Sequence, residues 1–233
     1  WSNPCYDRFH RVFPKYDRPI FGEATPIYIY WPKSLERIRA YNSHAKLILL
    51  LRDPIERAFS AWCHQRRKGR ESLSFSEAIR EGRSRISDPQ GFGNRHFSYV
   101  ERGFYDRQIH HALSLFPAAS LLLLDSRRLS REPQALVRDV ARFLGISEPM
   151  SEIRTVHANK RAALDAADIV TADDVKLLSD IYAEDVLKLA ARVDFPLDRW
   201  LTRRYLRGEV SAEDAALQLM QPGISGDGRA KTD

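Results

Sequence analysis

The sequence predicts an α/β fold in which a central parallel sheet is flanked by helices. Two apolar runs, residues 46–51 and 120–125, are too short to span a membrane, and each is typical of a buried parallel strand. Segments with helical periodicity alternate with them, which favours a sheet covered by helices. The 233 residues are enough for one sizeable domain of this kind.

The first run leads through a very short turn into a helix. Asp53 is a good N-cap, Pro54 suits the first helical position, and Glu56 lies three residues after the cap. The pattern predicts a helix over residues 54–68 that Gly69 ends. Ligands of open α/β sheets bind beyond the carboxyl ends of strands, where helix N-termini favour anions.

Three polar side chains belong to this strand–helix unit. Arg52 stands at the end of the strand, and Ser60 and His64 lie four residues apart, on one face of the helix. An arginine offers a planar fork of donors suited to phosphate, and a serine hydroxyl adds a directional hydrogen bond. The unit therefore indicates an anion site.

The other elements follow from local signals. A capping box at residues 74–77 opens a further helix, and residues 83–98, rich in Gly and Pro, are expected to form a mobile loop. The remaining predictions are short strands at 20–22 and 24–30, and helices at 6–12, 35–41, 105–116, 133–144 and 171–191.

Composition narrows the class of protein. Lysine and arginine exceed aspartate and glutamate by six, which favours anionic partners, although a merely basic surface explains the excess equally well. Cys5 and Cys63 are the only cysteines, so no disulfide framework and no metal signature are present, and a cytoplasmic location is expected. No apolar stretch approaches the roughly 18 residues of a transmembrane helix.

Four segments together resemble a known family. LRDP at 51–54, RAFS at 57–60 and HQR at 64–66 look like the 3′-phosphate-binding segment of sulfotransferases that use 3′-phosphoadenosine 5′-phosphosulfate (PAPS), with the heparan sulfate and bacterial carbohydrate type the most similar. The segments EATP at 23–26, GFY at 103–105 and 132–145 resemble further parts of that domain, in the same order. The resemblance implies a three-layer P-loop-type domain with a central parallel sheet.

The resemblance also implies roles for particular residues. Arg52 and Ser60 would bind the 3′-phosphate of the donor; the alternative is an arginine paired with Asp53 or Glu56, and a serine that only packs. Glu23 would be the general base; the alternative is an exposed glutamate at a turn. His64 would assist proton transfer or bind the sulfate, and a structural histidine is equally compatible with the sequence.

Other implied features concern the ends of the domain. Lys160 and Arg161 fall where a loop closes over the nucleotide in the family, although an ordinary basic loop fits them as well. The family's N-terminal phosphosulfate loop has no counterpart, so we expect residues 1–200 to be an N-terminally incomplete sulfotransferase domain. Residues 201–233 are expected to form a polar extension with a disordered end.

The predicted function is transfer of a sulfuryl group from PAPS to a hydroxyl or amine of an acceptor, most simply a carbohydrate. No metal is expected, because fixed cations and backbone amides can stabilise the leaving group. Nucleic acid is not an expected partner. Two alternatives stay open: a phosphotransferase of the same architecture, with Asp125 as a ligand for Mg²⁺, and a non-catalytic protein that binds anionic glycans or nucleic acid.

Overall fold

The computed structural model describes residues 6–11, 20–87, 91–147 and 169–221. These residues contain two strands, numbered β1 and β2, and the helices α1 to α11. In chain order they are α1 (Tyr6–His10), α2 (Ser34–Tyr41), β1 (Leu47–Leu51), α3 (Pro54–Arg67), α4 (Phe75–Glu81), α5 (Phe92–Phe97), α6 (Tyr105–Leu115), β2 (Leu121–Asp125), α7 (Arg128–Arg131), α8 (Pro133–Leu144), α9 (Ala172–Ala190), α10 (Leu201–Leu206) and α11 (Ala212–Met220).

The two strands pair in parallel, in a register from Leu47 opposite Leu121 to Leu51 opposite Asp125. Both carboxyl ends therefore lie at the same edge of the sheet, where a functional site is expected. Parallel strands with intervening helices confirm the predicted α/β class. In the described part of the chain, however, β1 is covered on one face only, since Ile48 and Leu50 are 37% and 44% exposed.

Helix α9 forms the centre of the main core. Its predicted apolar stripe is confirmed, because Val175, Leu178, Tyr182, Val186 and Leu189 are all fully buried. Residues of α3, α4, α6, α10 and α11 belong to the same apolar cluster. Burial of side chains of this size is the main favourable contribution to folding. The strand–helix unit that was predicted as the anion site therefore packs against the main hydrophobic core.

The local signals around α3 and α4 are confirmed. The Asp53 carboxylate accepts the backbone N–H of Glu56 at 3.0 Å, as an N-cap does. Gly69, just after α3, has a left-handed φ of 64°, a conformation in which glycine avoids the steric cost of a side chain. The box between Ser74 and Glu77 forms in both directions at the start of α4.

Two segments differ from the prediction. Residues 20–25 are irregular and 26–30 form turns, where strands were expected; the backbone N–H groups of Tyr30 and Trp31 both donate to the carbonyl of Ile27. Residues 83–98, expected as a mobile loop, contain a short 3₁₀ turn at Ser84–Ile86 and helix α5. Asn94 and Ser98 of this segment are buried, so it packs against the protein.

The segment after residue 200 also differs from the polar extension that was expected. It contains α10 and α11, and Leu201, Ala215 and Leu219 from these helices are buried in the main core. The overall composition here is polar, but the few apolar residues fall on one face of each helix, which is sufficient to cover a core. Residues 222–233, the expected disordered end, lie outside the described residues.

Candidate functional site

Asp53 anchors the turn between β1 and α3. Its carboxylate is completely buried, and it accepts the backbone N–H of Glu56 at 3.0 Å and that of Thr202, from α10, at 2.8 Å. Burial raises the pKa of Asp53 above its ordinary value, and the neighbouring Glu56 carboxylate adds to this effect, while the two backbone amides oppose it. Asp53, the residue next to Arg52, is therefore held by hydrogen bonds from α3 and α10, two helices that are distant in sequence from each other.

Arg52 projects from the carboxyl end of β1. Its Nε atom lies 3.2 Å from Oε2 of Glu56, and its side chain is 37% exposed. The pairing with Glu56 that was considered as an alternative to phosphate binding is therefore present. Within the described parts of the chain this side-chain pairing occupies only Nε, so the two terminal nitrogens keep their donors for a ligand. Pairing with Glu56 and binding of an anion are compatible in this geometry.

Ser60 lies two turns into α3 and is half-buried. Its hydroxyl makes no side-chain hydrogen bond to another residue that the structure describes. The hydroxyl can therefore donate to an anion without breaking an existing bond. Together with the terminal nitrogens of Arg52, it supplies the kind of donors that fit a phosphate group.

His64, one turn beyond Ser60, has a defined tautomer. The Arg67 guanidinium lies 3.1 Å from Nδ1 of His64, and because arginine can only donate, Nδ1 is the acceptor and Nε2 carries the proton. Burial lowers the pKa of His64, and the cations Lys68, Arg67 and Arg70 lower it further. The neutral ring is therefore arranged to donate from Nε2 rather than to receive a proton there.

Glu23 lies in the irregular segment before α2 and is exposed. The Thr25 hydroxyl donates a hydrogen bond to its Oε1 atom. The pKa of the Tyr28 phenol is raised, mainly by burial of its ring and in addition by the Glu23 carboxylate. No hydrogen bond or ion pair joins Glu23 to Arg52, Ser60 or His64 among the described residues. The structure leaves the Glu23 carboxylate accessible to a ligand, and its catalytic role stays a prediction.

A second histidine belongs to the same positively charged region. The pKa of His96, in α5, is lowered by burial and then by Arg70, Arg95, Arg102 and Lys68. Lys68 and Arg70 thus act on both histidines, which places the end of α3 beside α5. We call this region the basic surface; it consists of His64, Arg67, Lys68, Arg70, Arg95, His96 and Arg102.

An exposed aromatic ring borders the basic surface. Phe92 is 61% exposed, and its ring centroid lies 4.3 Å from that of His96. An exposed aromatic beside cations is suited to a ligand with an apolar face and acidic substituents. The basic surface therefore combines cations with one exposed aromatic ring. Arg66 alone turns away, because it donates to the carbonyls of Glu71 and Ser72.

Lys160, Arg161 and Asp125 are the remaining residues for which the sequence suggested a role. Lys160 and Arg161 lie outside the described residues. Asp125, the suggested Mg²⁺ ligand, accepts the backbone N–H of Arg127 at 2.9 Å and the indole N–H of Trp200 at 3.4 Å. Among the described residues, no group of three or more His, Cys, Asp or Glu side chains could hold a metal ion. No helix among them is long and apolar enough to cross a membrane.

Sequence reasoning named Glu56 only as an alternative partner of Arg52, and it did not identify Arg127 as part of the site. The spacing of four between Arg52 and Glu56 indicates a pair, but the capping signal assigned Glu56 to the helix start. Arg127 lies 3.0 Å from Glu56 and follows β2 in the chain. Because the carboxyl ends of parallel strands meet at one edge, the residues after β2 could have been expected near Arg52.

Comparisons with known proteins identify the family of the chain. Residues 31–161 match the sulfotransferase domain family. Human heparan sulfate glucosamine 3-O-sulfotransferase 6 is 29% identical over 154 residues, which is 64% of this chain and 43% of that protein. Human bifunctional heparan sulfate N-deacetylase/N-sulfotransferase 3 is 29% identical over 53% of this chain and 14% of its own length. A solved sulfotransferase from Alicyclobacillus acidocaldarius has a TM-score of 0.66 and 28% identity, and the match covers 83% of this chain and 73% of that one.

The family match covers more than half of the chain, so the chain belongs to the sulfotransferase domain family. The resemblance inferred from residues 51–66 and the three further segments is thereby confirmed. The chain spans less than half the length of these heparan sulfate relatives.

Proposed function

We propose that the protein transfers a sulfuryl group from PAPS to a hydroxyl or amine of an acidic glycan. The observation that carries the proposal is the pair of available donors at the start of α3, the terminal nitrogens of Arg52 and the hydroxyl of Ser60, in a chain of the sulfotransferase domain family. Charge-assisted hydrogen bonds from arginine are among the stronger contacts that a phosphate can receive. These donors therefore bind the 3′-phosphate of the donor substrate.

The transfer is a displacement at sulfur. The acceptor oxygen or nitrogen forms a bond to sulfur while the bond from sulfur to the 5′-phosphate oxygen breaks, and 3′-phosphoadenosine 5′-phosphate (PAP) leaves. Glu23 receives the acceptor proton, because its carboxylate is exposed, although it also interacts with the hydroxyls of Thr25 and Tyr28. His64 donates from Nε2 to an anionic oxygen, in agreement with the tautomer that Arg67 imposes.

The basic surface supports an acidic acceptor. Its cations come from the end of α3 and the residues just after it, from α5 and from residue Arg102, and Phe92 provides an exposed ring beside them. The relatives named for heparan sulfate act on an acidic polysaccharide, which agrees with this charge. A chain with several negative groups gains affinity from cations spread over a surface of this kind.

The test is a sulfate-transfer assay with labelled PAPS and matched polysaccharides. We expect incorporation into an acidic acceptor such as N-deacetylated heparosan, and little into a neutral one such as dextran. Transfer of phosphate from ATP and Mg²⁺ in place of sulfate would favour the phosphotransferase alternative. Salt-sensitive binding of acidic glycan without affinity for PAP would favour the non-catalytic alternative.

A further inference from the structure

Glu56 lies between two arginines at the edge where both strands end. Its Oε2 atom is 3.2 Å from Nε of Arg52, and its Oε1 atom is 3.0 Å from Nη2 of Arg127. The side chains of Glu56 and Arg127 are only 20% and 18% exposed, whereas that of Arg52 is 37% exposed. The most accessible member of the triad is thus the one assigned to the phosphate.

Arg127 is itself held in place. Its Nη1 atom donates to the carbonyl of Arg199, just before α10, and its backbone N–H donates to Asp125 at 2.9 Å. Both terminal nitrogens therefore already have partners, one in Glu56 and one in the backbone. This arrangement makes Arg127 a support for Glu56 and leaves Arg52 as the group that meets a ligand.

The contact with Glu56 fixes the orientation of the Arg52 guanidinium. It engages Nε, at the side of the planar group, so the two terminal nitrogens extend away from Glu56 as a pair of parallel donors. An arginine held this way loses less side-chain entropy when it binds a phosphate with two hydrogen bonds. The cost is a negative charge close to the phosphate, and the charge of Arg127 compensates for it.

We propose that Glu56 and Arg127 are positioning residues that hold Arg52 ready for the 3′-phosphate and so determine the preference for a 3′-phosphorylated nucleotide. The proposal rests on the proposed function, since it assigns the group beside Arg52 to PAP or PAPS. Neither residue contacts the nucleotide. Their effect reaches the ligand only through the direction of the Arg52 side chain.

Glu56→Gln separates positioning from simple charge. The substitution removes a negative charge beside the phosphate, so electrostatics alone would tighten PAP binding. Positioning predicts the opposite, because a neutral amide holds two arginines weakly. We expect PAP affinity, measured by calorimetry, to fall about 3- to 10-fold, the scale of one hydrogen bond, while affinity for 5′-AMP, which lacks the 3′-phosphate, stays unchanged.

Arg127→Lys is the second variant that tests the positioning role. Lysine keeps the charge but, as a single ammonium, cannot bridge Glu56 and the Arg199 carbonyl with a planar fork. We expect the same selective loss of PAP affinity. The matched control is Glu132→Gln, which changes a similar pair, Arg128 Nε to Glu132 Oε1 at 3.3 Å, and should leave both affinities unchanged.

The outcomes are distinct. Tighter or unchanged PAP binding in Glu56→Gln, wild-type PAP binding in Arg127→Lys, or equal losses of PAP and 5′-AMP affinity would each overturn the positioning role. An unaltered protein that binds PAP no more tightly than 5′-AMP would instead contradict the proposed function, before any variant is compared.

Discussion

Arg52 and Ser60 are the residues to which the proposed function assigns binding of the donor at the start of α3. Arg52→Ala removes a charge-assisted pair of hydrogen bonds, so we expect PAP binding to weaken by about 1.5–3 kcal/mol. Ser60→Ala removes a neutral donor and should cost about 1 kcal/mol. Isothermal titration calorimetry with PAP measures both, and unchanged affinity in a folded Arg52→Ala protein would refute the phosphate assignment.

Glu23 is the residue assigned to proton removal. Glu23→Gln keeps the shape and can still accept from Thr25, but it cannot take the acceptor proton. General base catalysis typically contributes about 10²- to 10⁴-fold, so kcat should fall on that scale. Affinity for PAP should barely change, because Glu23 is assigned to the acceptor side of the cleft. Steady-state kinetics with a fixed acidic glycan and varied PAPS checks both quantities.

His64 supplies the comparison for Glu23. Its Nδ1 accepts from Arg67, so a role as the base at Nε2 is not expected, and His64→Ala should reduce kcat less than Glu23→Gln does. A larger loss in His64→Ala, together with a nearly active Glu23→Gln, would move the base to His64. If both variants kept wild-type rates, the catalytic assignment would fail and nucleotide binding alone would stand.

At the scale of single residues, the sequence indicated the candidate residues and their positions in the chain more readily than the residues that they contact. The spacing of Arg52, Ser60 and His64 along one strand and one helix follows from chain geometry, which is local. The partner of His64, Arg67, lies within one turn, and it was within reach of the same reasoning. Arg127, 71 residues from Glu56, could not be paired with it from periodicity, because no local pattern records which strand ends meet.

The segment from Glu71 to Tyr99 shows how a predicted loop becomes an ordered element. The Glu71 carboxylate is fully buried and accepts two hydrogen bonds from Arg85, at 3.0 and 2.9 Å, and one from the Tyr99 hydroxyl at 2.8 Å. The Arg85 guanidinium also lies 4.3 Å from the centroid of the Phe97 ring. These contacts tie the 3₁₀ turn and α5 to the segment that follows α3.

Glu71→Gln tests this tie. The substitution leaves Arg85, whose side chain is 25% exposed, without its charge partner, and breaking a buried pair costs about 3–5 kcal/mol. Because Arg85 is partly solvated, we expect a loss near 3 kcal/mol in the free energy of unfolding. Glu184→Gln, in an exposed pair with Lys188, is the control and should leave the free energy of unfolding nearly unchanged. Urea denaturation measures both.

The same tie predicts a pH dependence. Burial acts to raise the pKa of Glu71, but the hydrogen bonds from Arg85, Leu73 and Tyr99 outweigh it and hold the pKa below its ordinary value of 4.5. The ionised carboxylate therefore stabilises the fold above pH 4.5, and this contribution is lost as the pH falls through the lowered value. The difference in stability between wild type and Glu71→Gln should shrink on acidification below that point; a constant difference would contradict the assignment.

At the scale of helices and strands, the sequence predicted the helices that have a clear apolar periodicity. It did not predict the segments whose structure depends on contacts with residues distant in sequence. Helices α3 and α9 carry side-chain N-caps and apolar stripes, and α6 carries an apolar stripe without a side-chain cap. Residues 83–98 contain Gly and Pro, which locally favour a loop, and distant contacts such as that of Arg85 with the buried Glu71 reverse that tendency. The β-forming residues at 24–30 were misread for the same reason, because tertiary contacts such as that of Tyr30 with Asn94 override propensity.

At the scale of the whole molecule, the C-terminal helices support the functional site. Helix α10 supplies the backbone N–H of Thr202 to Asp53, and the carbonyl of Arg199 just before it receives Arg127. Trp200 is fully buried and donates its indole N–H to Asp125 at the end of β2. Three groups near residue 200 therefore hold the edge of the sheet where Arg52 lies. Composition alone could not indicate this, since the contacts are made largely by the backbone.

The last prediction concerns the contact between α10 and Asp53. Thr202→Pro removes the backbone N–H that donates to Asp53, at a position in the first turn of α10 where proline is tolerated. A buried carboxylate oxygen then loses a hydrogen bond, so the free energy of unfolding should fall by about 1.5–3 kcal/mol. PAP affinity should fall as well, because the turn that carries Arg52 is loosened. Thr202→Val keeps the backbone N–H and removes only the side-chain hydroxyl, which also helps to lower the pKa of Asp53, so both losses should be smaller than in Thr202→Pro. Equal behaviour of the two variants in denaturation and PAP titration would show that α10 packs beside the site without supporting it.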